Sequence, residues 1–143
     1  MFSKSCEYGI KAVIYISEKS QNGSRVSLKE IAKAIDSPIA FTAKIIQSLA
    51  RADIINSIKG AGGGYEIPLD REITLKAIVK AIDGDKIYVG CGLGLKACNA
   101  QKPCPLHFEF KKIRDELSQM LENTTVNSLA QELICGNVYL TRV

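Results

Sequence analysis

Val26–Ile67, VSLKEIAKAIDSPIAFTAKIIQSLARADIINSIKGAGGGYEI, is the stretch that decides how the chain folds. Ser27 and Glu30 form an S-x-x-E capping box, the hydroxyl accepting an orphan backbone N–H while the carboxylate reaches back. The helix they open turns Leu28, Ile31, Ala32 and Ile35 inward. It must end by Ser37, because Pro38 disfavours helical geometry in the residue before it. Pro38 suits the first position of a following helix, Ile39 to Ala52. There Ile45, Ile46 and Leu49 make a narrow apolar stripe, while Ala40, Lys44, Gln47 and Arg51 share the opposite face, flanked by Phe41 and Ser48. The β-branched run Ile54–Ile58, the glycine-rich Lys59–Gly64 and then Tyr65–Ile67 read as strand, turn and strand. Two short helices across a tight turn, with a hairpin directly behind, make the winged helix-turn-helix pattern.

Upstream, Ser3 to Lys19 places Cys6, Ile10, Val13, Ile14 and Ser17 along one face of an amphipathic helix that Asn22-Gly23 breaks. Downstream, Thr74 caps a helix over Leu75 to Ile82, ended by Asp83-Gly84. From about Asp85 to Pro105 there is no periodicity, and a loop of that length is commonly functional. A long helix then runs from His107 to about Asn123, with Phe110, Ile113, Leu117 and Leu121 on one stripe. The monomer has too little chain to cover that stripe, and a second copy of the same helix is the cheapest cover. Val126 to Leu133 packs back or frays. The expected fold is mainly α. It comprises a winged helix-turn-helix domain in 1–84, a cysteine-rich loop in 85–106, and a dimerisation helix with a C-terminal tail in 107–143.

At 143 residues the chain is one domain, or one domain with an appended arm, and 46% hydrophobic and 24% charged residues are the composition of an ordinary soluble protein. Charged residues interrupt its first apolar stretch, which excludes a signal peptide or membrane anchor there and makes the cytoplasm the expected compartment. A net charge of +4 permits a nucleic-acid partner without demanding one. The third helix supplies the argument for double-stranded DNA. Lys44 and Gln47 are suited to base edges in the major groove, and Ala40 and Phe41 to thymine methyls. Arg25, Ser27, Lys33 and Ser37 suit phosphates. The thin tip at Gly60, Gly62 and Gly63, with Lys59 and Tyr65 beside it, suits a minor groove. The competing reading is a helical core with a solvated polar face; the order helix, turn, helix, hairpin favours DNA.

Five cysteines fall unevenly. Cys6 and Cys135 stand alone, as core or tail thiols, while Cys91, Cys98 and Cys104 share one Gly- and Pro-punctuated stretch. An odd, clustered count points to metal binding or redox sensing rather than a disulfide framework. Soft thiolates suit iron–sulfur clusters, zinc or copper(I). Gaps of six and five residues are too loose for a zinc knuckle, whereas an iron–sulfur cluster accepts a long wrapping loop. The fourth position falls to His107, three residues beyond Cys104, or to Glu7, reaching over from a second subunit. The rival is a cluster-free switch in which two of the three thiols form a reversible disulfide. No set of acids, bases and nucleophiles converges, so an enzyme is not expected.

The opening SCEYGIKAVIYI, the helix VSLKEIAK, the wing IKGAGGGY and the three-cysteine loop before a long helix resemble the Rrf2 family of bacterial transcription regulators, from about Ser3 to Asn123. The resemblance implies a homodimer on a palindromic operator and a [2Fe-2S] or [4Fe-4S] cluster that sets operator affinity in response to redox, nitric oxide or iron–sulfur status. By the same resemblance the cluster cysteines fall on Cys91, Cys98 and Cys104, and the histidine ligand of the iron–sulfur biogenesis regulators on His107. The acidic ligand of the nitric-oxide sensors, an Asp there, falls on Glu7. The family's recognition helix falls on Pro38 to Arg51 and its basic wing residue, often Arg, on Lys59. The first cysteine gap is six here against five in some members, and both cluster types stay open.

Overall fold

A computed structural model of the chain describes residues 1–142. Helix α1 spans Lys4–Gln21, opened by Ser3, whose hydroxyl accepts the Cys6 N–H at 3.1 Å. Cys6, Val13, Ile16 and Ser17 lie on its buried side. Helix α2 (Leu28–Ala34) carries the capping box read from the sequence, with the Glu30 N–H donating to Ser27 at 3.2 Å and Glu30 reaching back at 3.4 Å. Its turn is made at Asp36, which takes a left-handed φ of 51°, while the Ser37 N–H closes back on the Ala32 carbonyl at 3.0 Å.

Helix α3 (Ile39–Arg51) buries Thr42, Ile45, Ile46 and Leu49 and leaves Ala40, Lys44, Gln47 and Arg51 exposed. Pro38 is its cap, in extended geometry, rather than its first helical residue. Its ring fixes φ but leaves ψ free to turn the chain into the helix. Strands β1 (Asn56–Ile58) and β2 (Gly64–Glu66) pair antiparallel with Ser57 opposite Tyr65, so the first strand is two residues shorter than the sequence reading and the second starts one residue earlier. Val26 and Tyr65 exchange backbone hydrogen bonds at 3.1 and 2.8 Å, which ties the wing to the entry of α2. The Ile67 N–H donates to the buried Ser20 hydroxyl at 2.9 Å and ties it to α1.

Helix α4 (Leu75–Asp83), capped by Thr74 and Gly84, buries Leu75, Ile78 and Val79. The aperiodic stretch contains a single turn that the sequence reading did not anticipate, α5 (Lys86–Val89), with Tyr88 inward. Helix α6 runs His107–Asn123 and α7 Val126–Ile134. Helix α7 packs back, against α1. The join between α6 and α7 is stitched to the start of α4: the Leu75 N–H donates to the Thr124 carbonyl at 3.0 Å and the Val126 N–H to the Ile73 carbonyl at 2.8 Å. One core runs through α1, α3, α4 and the end of α6.

The stripe on α6 needs a correction. Leu121 is fully buried in the chain's own core and Leu117 is half-buried, so the monomer does cover that end. The uncovered positions are Leu106, Ile113 (62% exposed) and Met120 (45% exposed), one heptad apart. With Phe110 and Leu117 they form a stripe at alternating spacings of four and three residues. Phe108 is exposed on another side. Three- and four-residue steps rotate around the helix, and only packing decides which side the core takes.

Candidate nucleic-acid interface and cysteine site

The exposed face of α3 and the wing flank one groove of about 380 Å³, lined by Lys44, Gln47, Ala50, Ser57 and Tyr65 among others. Lys44 and Gln47 are three residues apart on one face of α3, so both side chains rise from the same wall. Lys59, Gly60 and Gly62 are exposed at the wing tip. Gly63 is required there: a Cβ would meet the Gly60 carbonyl oxygen at 2.8 Å and come closer still to that of Ile58. Arg25 braces the hairpin, donating to the Gly62 carbonyl at 3.0 Å and pairing with Glu66 at 3.4 Å. Arg71 locks the bend from α3 into β1 by donating to the Asp53 carbonyl at 2.8 Å.

The remaining residues expected at DNA are placed unevenly. Lys33 and Ala40 are exposed. Ser27 serves as the α2 cap, and the half-buried Ser37 hydroxyl bonds to the buried Thr42 hydroxyl. Phe41 is half-buried, edge-on to Tyr8 with ring centroids 5.6 Å apart. Arg25 and Ser37 thus have structural partners within the chain, a use that residue type alone does not reveal. Ser57, on the groove wall, was not singled out in the sequence.

The cysteine stretch folds against one face of α6. His107, the first residue of that helix, is only 5% exposed. Its Nδ1 lies 3.3 Å from Cys98 Sγ, while its Nε2 is buried with no hydrogen-bond partner among the described residues. Cys91 Sγ accepts the Leu93 N–H at 3.4 Å. The N–H groups of Leu93 and then Leu95 hold the Cys91 thiol below its ordinary value; burial opposes them, and the Cys104 thiol and the Gly94 N–H assist. The four donors therefore stand as two neighbouring pairs, Cys91 with Cys104 and Cys98 with His107. Among the described residues no three His, Cys, Asp or Glu side chains converge on a single ion-sized point.

Two side chains of α6 hold this loop: Phe110, which the sequence reading put on the dimer stripe, and Arg114, which it did not single out. Gly92 sits on the Phe110 ring so closely that a Cβ would lie 2.6 Å from the ring's Cγ. Arg114 Nη1 donates to the Val89 carbonyl at 2.9 Å and also to that of Gly90, and its Nη2 donates to Cys98 Sγ at 3.2 Å. The available signal was spacing: Phe110 and Arg114 follow His107 by three and seven residues, on one helical face. Glu7, exposed on α1, pairs with Lys4 at 3.6 Å; none of its recorded hydrogen bonds or ion pairs within the chain reaches the loop. Cys6 is buried and Cys135 exposed, as core and tail thiols. Among the described residues no helix is long and apolar enough to cross a membrane.

Comparison with known proteins gives a consistent picture. The sequence profile of the Rrf2 family, described as an iron-dependent transcriptional regulator, matches residues 2–132. A putative helix-turn-helix-type transcriptional regulator of Aquifex aeolicus is 27% identical over 133 residues, covering 90% of each chain. The helix-turn-helix-type transcriptional regulator IscR of Serratia proteamaculans is 25% identical over 123 residues, 85% of this chain and 74% of that one. The solved structure of CymR, the global cysteine regulator of B. subtilis, superposes with a TM-score of 0.74 at 25% identity, covering 92% of this chain and 96% of that one.

Proposed function

Because the chain belongs to the Rrf2 family of transcriptional regulators, we propose that it acts as a homodimer on a two-fold operator, with its DNA affinity set at the cysteine loop by an iron–sulfur cluster held by Cys91, Cys98, Cys104 and His107. The observation that carries the cluster reading is His107. A ring nitrogen buried without a partner costs about 1–3 kcal/mol, and this one belongs to a side chain already set against Cys98. Three soft thiols and one imidazole in a glycine-bearing loop fit such a group in chemistry and in slack. Glu7 of a second copy is the alternative fourth ligand, and the family description as iron-dependent points the same way as the thiols. When bound, the cluster supplies one-electron chemistry and a site for oxidants or nitric oxide.

The chain's own residues do the rest. Lys44 and Gln47 read base edges from α3, while Lys59 carries positive charge on the wing tip toward the minor groove. Lys33 and the helix ends contact phosphates and fix the register. The exposed, heptad-spaced Leu106, Ile113 and Met120 pair α6 with its copy in a second chain. The cysteine loop docks on the same helix, so its conformation and the spacing of the two α3 helices are mechanically linked. Two half-sites about one helical turn apart make specific binding sensitive to that spacing.

Anaerobic purification followed by visible absorption, with iron and sulfide counted per chain, tests the reading. A coloured protein with matching iron and sulfide supports it, and the stoichiometry chooses between the two cluster types. A second reading has its own observation: the Cys91 thiol is held low in reach of Cys104, the arrangement a reversible disulfide needs. A protein that stays colourless after reconstitution, and forms a Cys91–Cys104 disulfide under mild oxidant, would replace the cluster with that switch.

A further inference from the structure

We propose that Arg114 is the positioning residue of the cysteine site: its guanidinium holds the start of the loop and Cys98 at fixed places on α6, and its N–H bond to the Cys98 sulfur raises the reduction potential of the group held there. The second half rests on the cluster reading above; the first does not.

One guanidinium joins three points that the sequence separates. Its Nη1 donates to the carbonyls of Val89 and Gly90, where the chain leaves α5, and its Nη2 donates to Cys98 Sγ at 3.2 Å, eight residues further on. Only a planar fork of fixed donors can do this; a lysine ammonium is a point charge and cannot serve both ends at once. Arg114 Nε is buried with no hydrogen-bond partner among the described residues, so the head group is drawn into the loop at the expense of its hydration. His107 and Phe110 complete the seat on the same helical face, the first against Cys98 and the second under Gly92.

The chemical consequence follows from charge. Sulfur ligands of a cluster accept N–H bonds, and such bonds are among the factors that set its potential. Reduction adds negative charge to the thiolate-bound group, and a permanent cation with an N–H on one of its sulfurs stabilises the reduced form. Removing that donor therefore moves the potential downward.

The test uses the full chain with R114K and R114Q. Reconstituted protein is titrated anaerobically by visible absorption after iron is counted, and hydrogen exchange at residues 90–104 is followed in the metal-free protein. R114Q is expected to keep its iron, titrate at a more negative potential, and exchange its loop amides at least about fivefold faster, the factor for one lost hydrogen bond of ~1 kcal/mol. R114K, retaining the charge but not the fork, is expected to recover part of the potential and none of the protection. Wild-type potential and exchange in both variants would overturn the proposal. Altered exchange at wild-type potential would overturn its second half alone. A wild-type protein that takes up no iron removes the cluster reading and the potential with it, and the exchange data then decide the anchoring role by themselves.

Discussion

Cys6 and Cys91 sit in opposite surroundings. Burial, and after it the charge of Asp83, pushes the Cys6 thiol from 9.0 up to about 12, whereas backbone N–H groups hold Cys91 low. In native metal-free protein, iodoacetamide at mildly alkaline pH is therefore expected to modify Cys91 while Cys6 stays intact until the chain unfolds, as read by peptide mass spectrometry. The raised Cys6 value also gives a sign. The unfolded chain ionises near 9.0 and the folded chain does not, so the folded state holds the extra proton and stability falls as pH rises from about 9 toward 12. Urea unfolding of C6A over that range is expected to show a shallower alkaline loss than wild type. The three clustered cysteines and His107 stood out in the sequence by residue type and spacing. Arg114 did not, because an arginine on a charged helix looks like any solvated one until the carbonyls of Val89 and Gly90 are placed beside it.

Helices α1, α2, α3 and α4 were legible because each couples a cap or breaker with a clear apolar period: Asn22 for α1, the Ser27–Glu30 box for α2, Pro38 for α3, Thr74 and Gly84 for α4. Helix α5 was not, since four residues carry no period at all. The α6 stripe misled at Leu121, where the local pattern fits two neighbouring sides equally and tertiary packing takes the decision. S27A removes the acceptor for the Glu30 N–H and is expected to cost ~1 kcal/mol of stability by denaturant titration, with the fold retained. On the interface, K44A is expected to lose ~1–3 kcal/mol of affinity for the cognate operator and far less for random duplex. K59A should weaken both alike and lower the slope of log K against log salt by about 1. Equal losses on both duplexes for K44A would take Lys44 out of sequence readout.

At the scale of the molecule, Ile113 is the exposed centre of the heptad stripe and contributes nothing to the monomer's core. I113E is expected to sediment as a monomer with unchanged secondary structure and to bind the operator on the order of 10²-fold more weakly, since two linked half-site contacts become one. A dimer of undiminished stability would place the interface elsewhere. The stitching of Thr124 and Val126 to α4, with Lys76 reaching the Ser118 hydroxyl at 3.0 Å, bears on how such a dimer moves. Helix α6 is a beam clamped over its C-terminal half, from Ser118 to Thr124, and loaded over its first half, where His107, Phe110 and Arg114 take up the cysteine loop. Its 17 residues give it a length of about 25 Å, so a displacement of about 1 Å at the loaded end swings it through only about 2°. The core packed beyond the clamp opposes that swing, and in the proposed dimer the movement is expected to reach the exposed stripe of Leu106, Ile113 and Met120 instead.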